Sequence, residues 1–178
     1  MKDYIDRFEE MSLFGNISPF RFLIHSKIKM PMFIDNRDLV LCGFGILDAE
    51  EKTIMMPFRS INAPTYIDVD VPKESSGYRR ISISHGFFHL KFIKEETFLL
   101  STSYNVDPKV SVIPWIMLNT ILKEMSFYVL DGIKNQIENT KNRDVYKKRV
   151  EEKKNFYDRV KKELCVLENK SENYERGI

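Results

Sequence analysis

The sequence predicts an α+β domain: one curved antiparallel sheet followed by a single long C-terminal helix that covers it. Between Phe20 and Val106, apolar and polar residues alternate along several runs separated by turn residues, the period of strands with one dry face. From Pro114 onward the apolar spacing switches to three and four residues, the period of an amphipathic helix. The two patterns meet at Asp107-Pro108.

Taken in order, residues 4–14 carry Tyr4, Ile5, Phe8 and Met11 among Asp6, Arg7, Glu9 and Glu10, a helical spacing that Gly15-Asn16 and Ser18-Pro19 bring to an end. A short leading helix is expected there. Phe20 to Met30 places Phe20, Phe22, Ile24, Ile28 and Met30 on one side, with Ser26 as that side's one polar residue. Arg21, His25, Lys27 and Lys29 fall on the other side, and Leu23 breaks the alternation. Leu39 to Leu47 and Thr53 to Ile61 are β-rich runs joined by Asp48-Ala49-Glu50-Glu51-Lys52, a polar turn of hairpin length. After Asn62-Ala63-Pro64 comes a short run from Tyr66 to Val71, and then Tyr78 to Phe92 and Thr97 to Val106 form two longer strands around Lys94-Glu95-Glu96. In the helical part, Leu118, Ile121, Leu122, Met125, Val129, Ile133 and Ile137 share one stripe, interrupted only by Gly132. Pro114 suits the first turn, where its missing N–H costs nothing. Run to Asn139, this helix is on the order of 39 Å long at 1.5 Å per residue, enough to cross a small sheet.

Composition sets the outer bounds. The chain has 178 residues, 43% of them apolar and 12% aromatic, enough for one substantial core with an appendage. The division expected is a domain over residues 1–140 and a charged helical extension over 141–178. That extension carries twelve Lys/Arg against eight Asp/Glu, so the net +2 of the chain leaves about −2 for the first 140 residues. Tyr146, Val150, Tyr157, Val160, Leu164 and Leu167 form a heptad-like stripe in it, with Lys153 in the gap. Two readings stay open: a solvated helix packed back on the domain, which is favoured, or a self-associating coil. Cys42 and Cys165 show no paired spacing, which fits a reduced compartment. The charged start and the lack of any run of eighteen apolar residues argue against a signal peptide and a membrane span.

Certain residues add to the pattern. Met30-Pro31, Asn36-Arg37-Asp38, Gly77-Tyr78-Arg79, Gly86, Tyr104-Asn105-Val106-Asp107-Pro108, Ile113-Pro114-Trp115 and Asn119 occur in that order. Over roughly residues 4–139 the chain resembles the C-terminal two-thirds of the START (StAR-related lipid-transfer) family. The resemblance implies a helix-grip fold, a sheet wrapped around a lipid tunnel with the last helix as its lid, and neither cofactor nor catalysis. In such a fold the tunnel and lid residues expected are Phe22, Ile24, Ser26, Met30, Met32, Phe33, Ser60, Asn62, Trp115, Leu118, Leu122 and Met125. Arg37, Asp38, Arg79, Asp107, Pro108 and Pro114 are structural, with Arg37-Asp38 fixing the start of a strand. Met30 to Asn36 corresponds to a membrane-dipping, tunnel-gating loop; its Met30-Pro31-Met32-Phe33-Ile34 is either an exposed interaction patch or a cap on the core.

The chain departs from the family twice. Many members carry a tunnel arginine six residues beyond that of Arg-Asp, where this chain has Gly43. A weakly polar cavity is expected instead, with Ser26, Ser60 and Asn62 as polar contacts. The family's first helix and three strands are also missing, so the fold is expected to be N-terminally incomplete, with a bare edge beside the Phe20–Met30 strand. A sequence that starts late, a homo-dimer through that edge, or the C-terminal helix swinging across would each account for this; the first is favoured.

Competing chemistries fare worse. His85 and His89 share a strand face but lack a third ligand, so no metal is expected. Gly43-Phe44-Gly45 lacks the strand-to-helix setting of a phosphate loop, and Ser84-His85-Gly86 is not a nucleophile elbow. Lys147-Lys148-Arg149, Lys153-Lys154 and Lys161-Lys162 could attract an anionic membrane, although the interleaved Glu151, Glu152, Asp158 and Glu163 favour an ordinary solvated helix. No aromatic platform accompanies the charge, so no nucleic acid is expected. The function expected is non-enzymatic binding and transfer of a lipid, a phospholipid above others, by a cytoplasmic protein that visits membrane surfaces. The alternative is a protein-interaction module that has lost the tunnel and associates through the sheet edge and the C-terminal helix.

Overall fold

The computed structural model describes residues 8–15, 17–30, 34–94, 97–107, 109, 114–140 and 144–165. The strands are β1 (Phe8–Leu13), β2 (Arg21–Ile28), β3 (Asn36–Phe44), β4 (Ile46–Asp48), β5 (Thr53–Ser60), β6 (Thr65–Tyr66), β7 (Val69–Asp70), β8 (Tyr78–Arg80), β9 (Ser82–Lys94) and β10 (Thr97–Asp107). The helices are α1 (Trp115–Thr140), α2 (Asp144–Glu152) and α3 (Lys154–Cys165).

One sheet dominates, in the order β1-β2-β3-β5-β9-β10, antiparallel throughout. The far edge of β3 is shared. Its residues Leu41 to Gly43 pair with β5, while Asn36 to Asp38 pair in parallel with β8. β4 pairs with β5 across the expected polar turn.

The expected helix over residues 4–14 is, across its described part, strand β1. A bulge between Phe8 and Glu10 sets Phe8, Met11 and Leu13 opposite Ile28, Ser26 and Ile24. An inserted residue turns the two-residue period into a step of three and then two, and this step imitates helical spacing. Pairing also gives the edge groups of β2 hydrogen-bond partners, which a short isolated helix would not do. The edge expected to be bare is therefore covered by β1.

The sheet is apolar on both faces where strands β2 and β3 lie. Its inner face packs Ile28, Leu39, Phe58, Ile81 and Ile83, joined by Phe22, Met30, Leu41, Phe88, Tyr104 and Val106. Its outer face packs Leu23, Val40, Cys42 and Ile61 under Tyr66, Val69 and Val71. Leu23, the exception to the β2 alternation, is thus a core residue of the second face, only 2% exposed. Full burial of such a side chain contributes about 1.5–3 kcal/mol.

The cover over that second core is the β6–β7 hairpin, which takes up most of the short run from Tyr66 to Val71. Its turn residues Ile67 and Asp68 have φ of +49° and +59°. A β-branched residue is costly there, by roughly 1–2 kcal/mol, and Ile67 gives up little in return because it is 48% exposed. Ile67→Gly is expected to raise stability by about 0.5–1 kcal/mol, read as a higher urea midpoint; a lower midpoint would show that the Ile67 side chain contributes more than its backbone costs.

Helix α1 lies on the inner face. Asn119, Leu122, Ser126, Val129 and Ile133, spaced by three and four, are its half-buried line, and the Tyr104 hydroxyl of β10 hydrogen-bonds the Ser126 hydroxyl. Beyond it, the ring of Phe156 in α3 meets that of Phe20, just before β2, at 5.2 Å between centroids. The contact falls one position off the expected heptad stripe, of which Val150 and Tyr157 stay exposed. No helix among the described residues is long and apolar enough to cross a membrane.

Candidate ligand-binding face

Strand β10 alternates exposed and half-buried residues without a break, so Phe98, Leu100, Thr102 and Tyr104 all point inward. Register carries the same face across the sheet: Tyr104 lies opposite Gly86, Thr102 opposite Phe88, Leu100 opposite Leu90 and Phe98 opposite Phe92. On β5, Met56 and Ile54 lie opposite Phe88 and Leu90. The result is a band of large apolar side chains, each half-buried, on the side of the sheet that meets α1 through Tyr104. It carries no carboxylate, imidazole or thiol. The outward neighbours Met55, Ile93 and Leu99 are exposed.

Two glycines let aromatic rings lie against the inner face. A Cβ on Gly86 would meet the Phe58 ring at 2.5 Å, and one on Gly43 would meet the Phe22 ring at 2.2 Å and the Pro57 carbonyl oxygen at 2.7 Å. Gly43 is the position at which the resemblance implies an arginine. Here the neighbouring Phe22 ring occupies that space, so an aromatic surface replaces a charged one.

Of the tunnel residues expected from the sequence, Phe22, Ile24, Ser26 and Ser60 do share the inner face. Both hydroxyls are engaged: Ser26 donates to the Glu10 carbonyl at 3.4 Å, and Ser60 accepts from the Ile83 N–H at 2.8 Å. Met30 is half-buried against the inner core, its N–H bonded to the Asn36 side chain, and Leu122 is on the half-buried line of α1. Asn62 is exposed and lines a depression of about 710 Å³ over residues 61–74, away from the band. Met32, Phe33 and Pro108 lie outside the described residues, as do the side chains of Trp115, Leu118 and Met125.

The structural motif residues divide. Asp38, fully buried, accepts from the Arg80 Nε at 2.6 Å and the Ser75 N–H at 2.9 Å, and lies 3.0 Å from the His25 Nε2. Burial pushes its pKa up, but the bonds from His25, Arg80 and Ser75 outweigh that and hold it below the usual carboxylate value. Arg79, expected to be structural, is exposed and reaches Asp35 and the Lys109 carbonyl, and it is its neighbour Arg80 that pairs with Asp38. Arg37 is 3% exposed, with burial lowering its pKa, and donates to the Asp35 carbonyl. Asp107 holds the Lys109 N–H and ammonium, which lower its pKa, and Pro114 immediately precedes α1. Among the described residues no group of three His, Cys, Asp or Glu is placed to hold a metal ion.

No protein-family model matches this chain, and no curated protein does. Solved structures do. Human STARD10 superposes with a TM-score of 0.60 at 14% identity, over 79% of this chain and 56% of its own. Human StAR-related lipid transfer protein 5 gives 0.65 at 11% identity, over 79% of this chain and 65% of its own. A STAR-related lipid transfer protein from Xanthomonas axonopodis gives 0.56 at 15% identity, over 77% of this chain and 71% of its own. This chain therefore spans less than two-thirds of either human structure, and its curved antiparallel sheet with a long helix across the inner face has the START-type helix-grip fold.

Proposed function

We propose that the inner face and α1 together hold one lipid, and that the protein binds and carries it without making or breaking a bond. The observation that supports this most directly is the apolar band of β5, β9 and β10, half-buried beneath a helix in a fold whose superposed structures are named as lipid-transfer proteins. Each methylene of an acyl chain laid on such a surface contributes about 0.8 kcal/mol. A phospholipid is the favoured ligand, since the band offers length for acyl chains and, at Gly43, no charge for a buried ionic partner. Loading and release would bring the protein to membrane surfaces from the cytosol. Tyr104 and Ser126, which join sheet and helix, are the contact that opening must break.

The alternation of β10 supplies the test. Protein purified without detergent is extracted for lipid mass spectrometry and assayed for transfer of labelled phosphatidylcholine between vesicles. Leu100→Arg, on the inner face, is expected to reduce bound lipid and transfer at least tenfold, because an unpaired charge there opposes an apolar ligand. Leu99→Arg, on the outer face, should leave both within twofold. Protein that carries no lipid, moves none and associates with itself as concentration rises would support the interaction-module reading instead.

A further inference from the structure

A second cavity lies on the other side of the sheet, and of the residues described above on the inner face only Gly43, Phe58 and Gly86 also line it. It opens on the outer face, has a volume of about 360 Å³, and is lined by Arg21, Leu23, Cys42, Phe44, Arg59 and Tyr66 among others. Its origin is legible in the register. Leu23, Cys42 and Arg59 form one row across β2, β3 and β5, and Arg21 and Phe44 are paired in the next row. Tyr66, in the β6–β7 hairpin, packs against the buried cluster that contains Cys42. The floor is thus apolar and two guanidinium groups flank it.

No carboxylate is among the lining residues. Neither the Arg21 nor the Arg59 guanidinium has a hydrogen bond or ion pair among the described residues, in contrast to those of Arg37, Arg79 and Arg80, which are all engaged. Both charges act on the Tyr66 hydroxyl, although its bond to Cys42 and its burial outweigh them and raise its pKa. Two unpaired forks of donors converging on one concave, partly apolar site match an anion that carries an apolar stem: guanidinium binds phosphate through two parallel bonds, and ligand sites combine an apolar lining with a few convergent polar groups.

We propose that this outer cleft binds a phosphate monoester on a short apolar stem, with the phosphate between Arg21 and Arg59 and the stem against Phe44. The stem can belong to a free metabolite or to the end of a membrane phosphatidate. The site is independent of the inner band, because β3 and β5 separate the two.

Calorimetric titration with hexyl phosphate, inorganic phosphate and hexanol tests it, alongside sedimentation with phosphatidylcholine vesicles containing phosphatidic acid. Hexyl phosphate is expected to bind saturably, about tenfold more tightly than inorganic phosphate, since the stem adds buried methylenes; hexanol should bind far more weakly than either. Arg21→Gln and Arg59→Gln should each weaken hexyl phosphate about tenfold, a typical effect for a lost charge-assisted bond, and the double variant should lose it. Both side chains are exposed, so circular dichroism is expected to show folded variants. Vesicle binding that falls with the same variants identifies a membrane source, and vesicle binding that is absent or unchanged while hexyl phosphate binding falls identifies a soluble one. Hexyl phosphate binding that is absent, or undiminished in the double variant, overturns the proposal. Undiminished binding lost instead in Leu100→Arg would place the ligand on the inner band.

Discussion

Replacing Asp38 with alanine is expected to destabilise the protein by about 3–5 kcal/mol, the cost of breaking a buried ion pair from one side, and chemical denaturation of wild type and variant measures it. Asp38 is fully buried, and its carboxylate is the common acceptor for His25, Arg80 and the Ser75 N–H. These partners belong to β2, to β8 and to the loop leading into β8, and the Ile81 N–H also bonds the Asp38 carbonyl. One carboxylate therefore fastens the parallel strand and its approach to the rest of the sheet. Its removal leaves a guanidinium without its partner in a site where Arg80 is only 19% exposed. Asp38→Asn keeps the shape and loses the charge, and should cost less than Asp38→Ala. The pH dependence has a definite sign. The folded pKa lies below the ordinary value of 3.8, so the stabilisation is complete above that value and fades as pH falls through the lower folded one. Wild type should lose stability across that acid window more steeply than Asp38→Asn; parallel acid curves would show that the carboxylate is not charged in the folded state.

Gly43→Ala is the second substitution with a large expected effect. The added methyl would meet the Phe22 ring and, more decisively, the Pro57 carbonyl oxygen at 2.7 Å. A ring can tilt, but the paired backbone of β5 cannot move without disturbing the sheet, so overpacking of about 1–3 kcal/mol is expected. The thermal midpoint of Gly43→Ala measures it. Combining it with Phe22→Leu separates the two sources of strain, because the smaller side chain relieves the ring contact and leaves the carbonyl contact in place. A partial recovery in the double variant is expected; a neutral Gly43→Ala would mean the strands are looser here than their register implies. Gly43→Arg should be worse still, since Phe22 fills the space an arginine would need.

Much of this architecture is legible because period-two alternation is hard to mistake over long strands. β10 is legible directly, and so is the change to helical spacing at Pro114, whereas the run from Tyr78 to Phe92 is two strands, β8 and β9, parted at Ile81, and the run from Leu39 to Leu47 divides into β3 and β4 at Gly45. The errors share a cause: a single residue that shifts the phase. The bulge in β1 made strand spacing resemble a helix. The turn at Ile67-Asp68 contains no glycine, so nothing in the sequence marks the hairpin inside the run from Tyr66 to Val71. Parallel pairing hid the partner of Asp38, because only the β8 register sets Arg80 beside Asp38 and Arg79 beside Arg37. The polar tunnel contacts were inferred from residue type, whereas the Ser26 and Ser60 hydroxyls are taken up by backbone groups of neighbouring strands. The outer cleft had no signature at all, since Arg21 and Arg59 lie 38 positions apart and meet only through strand pairing.

The bulge in β1 has a further consequence for how the protein behaves in a crowded solution. Glu9 and Glu10, beside the bulge, are held by Lys29 and Lys27 of the adjoining segment, and Glu9 also receives the Tyr78 hydroxyl. A stray chain seeking to lengthen the sheet at that rim would meet a kinked ladder with fixed charges alongside, a poor template for further pairing. The same irregularity that disguises the strand in the sequence thus makes this rim less receptive to an added strand.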